Sequence, residues 1–183
     1  MPPTDGTERT RRAILDAAAR VLGQRSEAGM ADIADEAGVG RATLYRHFPT
    51  RESLIRGVQD VGSAELVAEF ASAGLDELPA DRAIVRITGI FLRTGAKYAA
   101  VISREDEHRE HAARDKAIEP IRKVIARGIR DGELRADLPG DALFEMYSAL
   151  IARAQLLTIT GAVTPEQAAD AVVAVFLDGA LTR

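Results

Sequence analysis

Apolar residues recur at three- and four-residue spacings along most of this 183-residue chain. No stretch shows the strict alternation of a half-buried strand, so the pattern predicts an all-α protein. Ile14, Ala17, Ala18, Val21 and Leu22 share one face of a first helix, which Gly23 is placed to end. A short second helix is expected from about Met30 to Ala37, broken by Gly38, and a third from Arg41 to Phe48, stopped by Pro49. Thr50 then caps a longer fourth helix through Leu54, Val58, Val61, Val67 and Phe70, closed by Gly74 and Pro79. A fifth follows through Ile84, Ile87, Phe91 and Tyr98.

From Ser103 to Asp115 the chain is strongly polar, after which Ile118, Ile121, Ile125 and Ile129 restore a helical stripe that ends at "RDGEL". Pro120 is expected in the first turn of that helix. The last helix has a sharp start signal in "TPEQ": Thr164 as N-cap, Pro165 in the first turn, and Gln167 reaching back as in a capping box. The last two helices are apolar over wide arcs. Leu143, Leu150 and Leu157, together with Val172, Val173, Val175, Phe176 and Leu177, exceed what one core-facing stripe needs. A second buried face, and hence a homodimer interface, is the expected use.

A chain of this length with 46% hydrophobic residues can bury a substantial core. It has no cysteine, which excludes disulfides, thiolate zinc sites and cysteine nucleophiles. "MPPTDGTERTRR" contains no apolar segment of signal-peptide type, and no window offers the ~18 uninterrupted apolar residues of a membrane helix. The expectation is therefore a soluble cytoplasmic protein with no membrane partner.

Charge changes the picture at one place. The formal net charge is −4, yet Gly40 to Arg51 contains no acidic residue and gathers Arg41, Tyr45, Arg46, His47 and Arg51. Residues Met1 to Arg56 hold nine arginines and eight acids, leaving −5 on the remainder, so the positive field is local. Two short helices joined by a glycine turn are the sequence form of a helix-turn-helix. Val39, Leu44 and Phe48 are expected to pack against Ile33 and Ala37, with Ala34 allowing close approach. That leaves Gly40, Arg41, Ala42, Thr43, Tyr45, Arg46 and His47 to face double-stranded DNA. Arg41 suits a bidentate contact to guanine and Thr43 a base contact, while Tyr45, His47 and Arg51 suit phosphates.

The run "MADIADEAGVGRATLYRHFPTRESL" resembles the DNA-binding region of the TetR family, the tetracycline-repressor-like regulators, over roughly Ile14 to Ile55. Three features depart from the usual form: the link "GQRSEAG" is short, Gly29 stands where serine or threonine often caps the second helix, and Arg51 replaces the commoner lysine. The resemblance implies a three-helix helix-turn-helix head, 1–56, joined through a long fourth helix to a helical body, 57–183, with about nine helices in all. It also implies a homodimer on a pseudo-palindromic operator, repression, and release by a small-molecule effector of unknown identity. Phe70, Phe91, Tyr98, His111, Met146 and Tyr147 are the candidate lining of the effector pocket.

Two other readings compete. "EDEHREH" sets His108 and His111 at i, i+3 with Glu107 nearby, a spacing able to hold a metal or support acid/base work. Histidines in so charged a stretch are mostly solvated, however. No phosphate loop, nucleophile elbow or zinc-peptidase motif is present, so no cofactor, no metal and no catalytic residue is expected. The other rival is a DNA-binding protein that responds to no effector.

Overall fold

The computed structural model describes residues 5–25, 27–102 and 112–180. Among them the helices run as α1 (Asp5–Gln24), α2 (Met30–Glu36), α3 (Arg41–His47), α4 (Arg51–Ser72), a 3₁₀ turn (Leu75–Glu77), α5 (Ala80–Ile102), α6 (Ala112–Arg130), α7 (Gly140–Ile159) and α8 (Pro165–Ala180). The all-α expectation is met, with eight α-helices and one 3₁₀ turn among the described residues.

The chain divides into two compact units. The first comprises 1–62 and takes back the described end of α5 from Lys97, while the second comprises 63–96 and the chain after the polar stretch. The boundary therefore falls at Gly62, inside α4, where the sequence suggests Arg56. Helical periodicity runs through α4 without a break, so nothing local marks the division.

The first unit is built on the α1 face read from the sequence. Ile14, Leu15, Ala18, Val21 and Leu22 close over Ile33 and Ala34 of α2, Leu44 of α3, Phe48, and Leu54 and Val58 of α4. The α2–α3 turn has the hydrogen bonds of a Schellman motif: the Val39 N–H donates to the Ala34 carbonyl (3.0 Å) and the Gly38 N–H to that of Asp35 (3.1 Å). Gly38 lies at φ 66°, in the left-handed region that β-carbons resist. Gly57 serves a different need, since a Cβ there would stand 2.9 Å from Leu15 Cδ2 and 3.0 Å from the Phe48 ring. Its bare backbone lets α4 approach α1 and Phe48.

In the second unit α5, α6, α7 and α8 share one core, with Ile84, Ile87, Ile125, Leu134, Phe144 and Ile151 among its buried members. Arg127 reaches from α6 to the carbonyls of Leu75, Asp76 and Leu78, holding the 3₁₀ turn with one guanidinium. The Thr164–Gln167 capping box forms as the sequence predicts (3.0 and 3.2 Å). Pro120 departs from expectation: it lies inside α6, because that helix starts at Ala112 in the polar stretch, ahead of its apolar stripe. Helix α7 is long and apolar enough to cross a membrane by length and composition. Leu143, Phe144, Tyr147, Ile151 and Ala154 bury one of its faces in this core.

Candidate nucleic-acid interface

Helix α3 is anchored by very little. Leu44 and the following Phe48 are 0% and 2% exposed, while Arg41, Ala42 and Arg46 are exposed and Thr43 and His47 half-buried. Tyr45 is 49% exposed, unusual for a ring that size, and lies on the same outward side of the helix. Gly40 caps α3 through its backbone alone, its carbonyl accepting from Thr43 and Leu44. The outward side is therefore polar and cationic, and no acidic residue interrupts it.

Two of these side chains are joined, Arg46 donating through Nη2 to Thr43 Oγ1 at 3.0 Å. Together with His47 they line a solvent-open concavity of about 490 Å³ whose opposite wall is Gly6, Thr7 and Thr10 of α1. Sequence reasoning missed those threonines. Their i, i+3 spacing is the available signal, and it is recognisable only once α1 is seen to begin at Asp5 rather than near its apolar stripe.

Arg51 is placed differently from the other candidates. Its side chain is half-buried and donates to the carbonyl of Ala28, in the link between α1 and α2. Around it the start of α4 is fixed by reciprocal bonds: the Ser53 N–H donates to Thr50 Oγ1 (3.1 Å) and the Thr50 N–H to Ser53 Oγ (3.2 Å). Backbone hydrogen bonding in this first turn, then the Thr50 hydroxyl, holds the Glu52 carboxyl below its ordinary range. At α2, Gly29 offers no side-chain cap; Asp32 Oδ2 accepts from the Gly29 N–H at 2.8 Å instead.

The family model described as "Bacterial regulatory proteins, tetR family" matches residues 14–58, the segment carrying this geometry. The transcriptional repressor LfrR of Mycolicibacterium smegmatis is 43% identical over 84 residues, 44% of this chain and 42% of LfrR. The crystal structure of LfrR in complex with proflavine superposes with a TM-score of 0.75 at 26% identity, over 96% of this chain and 98% of that one. Residues 14–58 therefore carry a DNA-binding segment of the TetR family. The transcriptional repressor KstR2 of Rhodococcus jostii is 28% identical, with 97% of this chain and 96% of KstR2 aligned. The sequence match to LfrR thus spans less than half of that relative's length, whereas the match to KstR2 runs nearly end to end.

The described residues expected to line an effector pocket are only partly brought together. Phe70 and Tyr147 are buried in the core of the second unit, and Phe91 packs against it from a half-buried position. Met146 is 62% exposed. Tyr98 is in the first unit's core, its ring so close over Gly62 that a Cβ there would stand 2.9 Å away. His111 lies outside the described residues, as does His108, and no cluster of metal-binding side chains occurs among those described.

Tyr147 has a partner the sequence did not suggest. Its hydroxyl lies 2.8 Å from Thr88 Oγ1, and Thr88 donates to the Ile84 carbonyl, so the phenol is the donor of the pair. Burial pushes the Tyr147 phenol well above its ordinary value.

Residues expected at a dimer interface also divide. Leu143, Val172 and Phe176 are 4%, 4% and 5% exposed, inside the protomer's own core, and Leu150, Val173 and Leu177 are half-buried. Leu157 and Val175 are exposed, and they are joined by three residues not singled out for this role, Met146, Leu156 and Ile159. The wide arcs of α7 and α8 are real, but the inner half of each is used within the chain.

Proposed function

We propose that this protein is a homodimeric TetR-family repressor that reads a pseudo-palindromic operator with α3 and leaves it when a small molecule binds its helical body. The observation that carries the reading is the outward side of α3. Five positions, Arg41, Ala42, Thr43, Tyr45 and Arg46, are open or half-open to solvent on a helix whose only buried side chain is Leu44. The major groove admits such a helix, with its N-terminal residues against base edges. Arg41 then reads a guanine and Thr43 a neighbouring base, while Tyr45 and His47 contact phosphates, as Arg46 does from the concavity it shares with α1.

The homodimer reading is supported by Met146 and Val175, each 62% exposed on the last two helices, where burial against a second copy would remove apolar surface from water. Two copies related by a two-fold axis give two α3 helices about one DNA turn apart, ~34 to 36 Å, and hence the pseudo-palindrome. For the effector, LfrR supplies the first compound to test, since its structure was determined with proflavine. Coupling of ~1 to 3 kcal/mol between effector and operator sites would change operator affinity about 5- to 150-fold. A cytoplasmic location and the absence of catalysis follow from the same reading.

The test is a duplex-binding measurement with wild type and Arg41→Ala at two salt concentrations. The reading expects the wild type to prefer one sequence, the variant to lose that preference at a single base position in each half-site, and both to weaken with salt. Equal weakening on every sequence would make Arg41 a phosphate contact. No preference in the wild type would end the reading.

A further inference from the structure

We propose that Arg51 serves DNA binding as a positioning residue, tying the start of α4 to the link before α2, and is not a phosphate ligand. The inference rests on the reading of α3 as the helix that enters DNA. It starts from a difference among the cations of this segment: Arg41 and Arg46 are exposed, whereas Arg51 is half-buried with its guanidinium on the protein's own backbone.

The acceptor is the carbonyl of Ala28, a residue 5% exposed and outside any helix. A backbone carbonyl beside such a buried residue needs a donor, and the Arg51 guanidinium supplies one. The link around it is short, with α1 ending at Gln24 and α2 beginning at Met30. Its inner bond, Ala28 N–H to the Arg25 carbonyl at 3.0 Å, fixes the turn, but Gly29 adds no side chain to hold the head of α2. Arg51 supplies that hold from 23 residues away, at the point where the Thr50–Ser53 bonds already fix the first turn of α4.

The heads of α2 and α4 flank α3 in sequence, and both belong to the unit whose core holds Leu44 and Phe48. Fixing one to the other sets the frame in which α3 is presented. A guanidinium suits this better than an ammonium, because its planar fork is less strongly hydrated and keeps its donors in fixed directions. The arginine at this position thus has a structural reason that a phosphate contact, which lysine makes equally well, does not provide.

The test compares the wild type with Arg51→Ala and Arg51→Lys, using a duplex that the wild-type protein selects from a random-sequence pool. Affinity is measured across a salt series, and amide exchange at Glu27, Ala28 and Gly29 is followed by NMR in the DNA-free protein. A positioning role predicts roughly tenfold weaker binding for Arg51→Ala, a smaller loss for the charge-conserving Arg51→Lys, and an unchanged slope of log affinity against log salt. It also predicts faster exchange at the three link amides in both variants. A slope shallower by about 1.8 in Arg51→Ala, about 0.9 for each protomer of the dimer, would identify a lost phosphate contact and overturn the proposal, as would unchanged exchange in the link. If the wild type selects no duplex, the reading of α3 falls and this proposal with it; if the wild type selects one and Arg51→Ala loses slope, the proposal alone falls.

Discussion

Single side chains divide here into those that face outward by default and those held by a specific partner. Arg41 is of the first kind, and its replacement by alanine is expected to remove about 1 to 3 kcal/mol of discrimination at one base position while leaving the melting temperature unchanged. Tyr147 is of the second. Tyr147→Phe removes the donor to Thr88 but leaves the Thr88 hydroxyl bonded to Ile84, so a stability loss of only about 0.5 to 1.5 kcal/mol is expected in denaturant titration. The raised Tyr147 pKa gives this a pH signature. Its contribution is fully present below the unfolded phenol's value of about 10 and is lost as pH rises toward the folded value, so above pH ~10 wild-type stability should fall more steeply than that of Tyr147→Phe. The Tyr147–Thr88 pair could not be read from sequence, because nothing in helical spacing links positions 59 residues apart. The same holds for Arg51 and Ala28.

At the scale of elements, the local signals were sufficient wherever they were chemical rather than periodic. The glycine turn, the Thr50 and Thr164 caps and the acid-free run from Gly40 to Arg51 all appear in the structure where the residues put them. Gly38→Ala should therefore destabilise the first unit by about 1 to 2 kcal/mol, although nothing lies within 4 Å of the added Cβ, because the penalty comes from φ 66° and not from crowding. Thermal unfolding and duplex affinity should fall together. Periodicity alone was less informative. It identifies α7 and α8 as apolar over wide arcs but does not say which side meets the chain's own core: Leu143, Val172 and Phe176, expected at a dimer interface, are buried in that core, and Met146, a candidate pocket residue, is exposed. Tyr98 shows the same limit: its helix also supplies Ile84 and Ile87 to the other core, and only the bare backbone of Gly62 explains where its ring lies.

For the whole molecule, the account requires two copies, since one short helix offers too few base contacts to find a site. Val175→Asp should convert the dimer to a monomer in sedimentation equilibrium with the protomer's helical content intact, because Val175 is 62% exposed and takes no part in the core. The same variant should bind single half-sites with the salt dependence of one α3 helix. Whether paired α3 helices read DNA is decided by selection from a random duplex pool. Wild type should enrich a two-fold-symmetric sequence, and Arg41→Ala should lose preference at the same symmetry-related position in both halves. Enrichment of no sequence by the wild type, or of the identical sequence by both proteins, would contradict the reading of DNA by paired α3 helices.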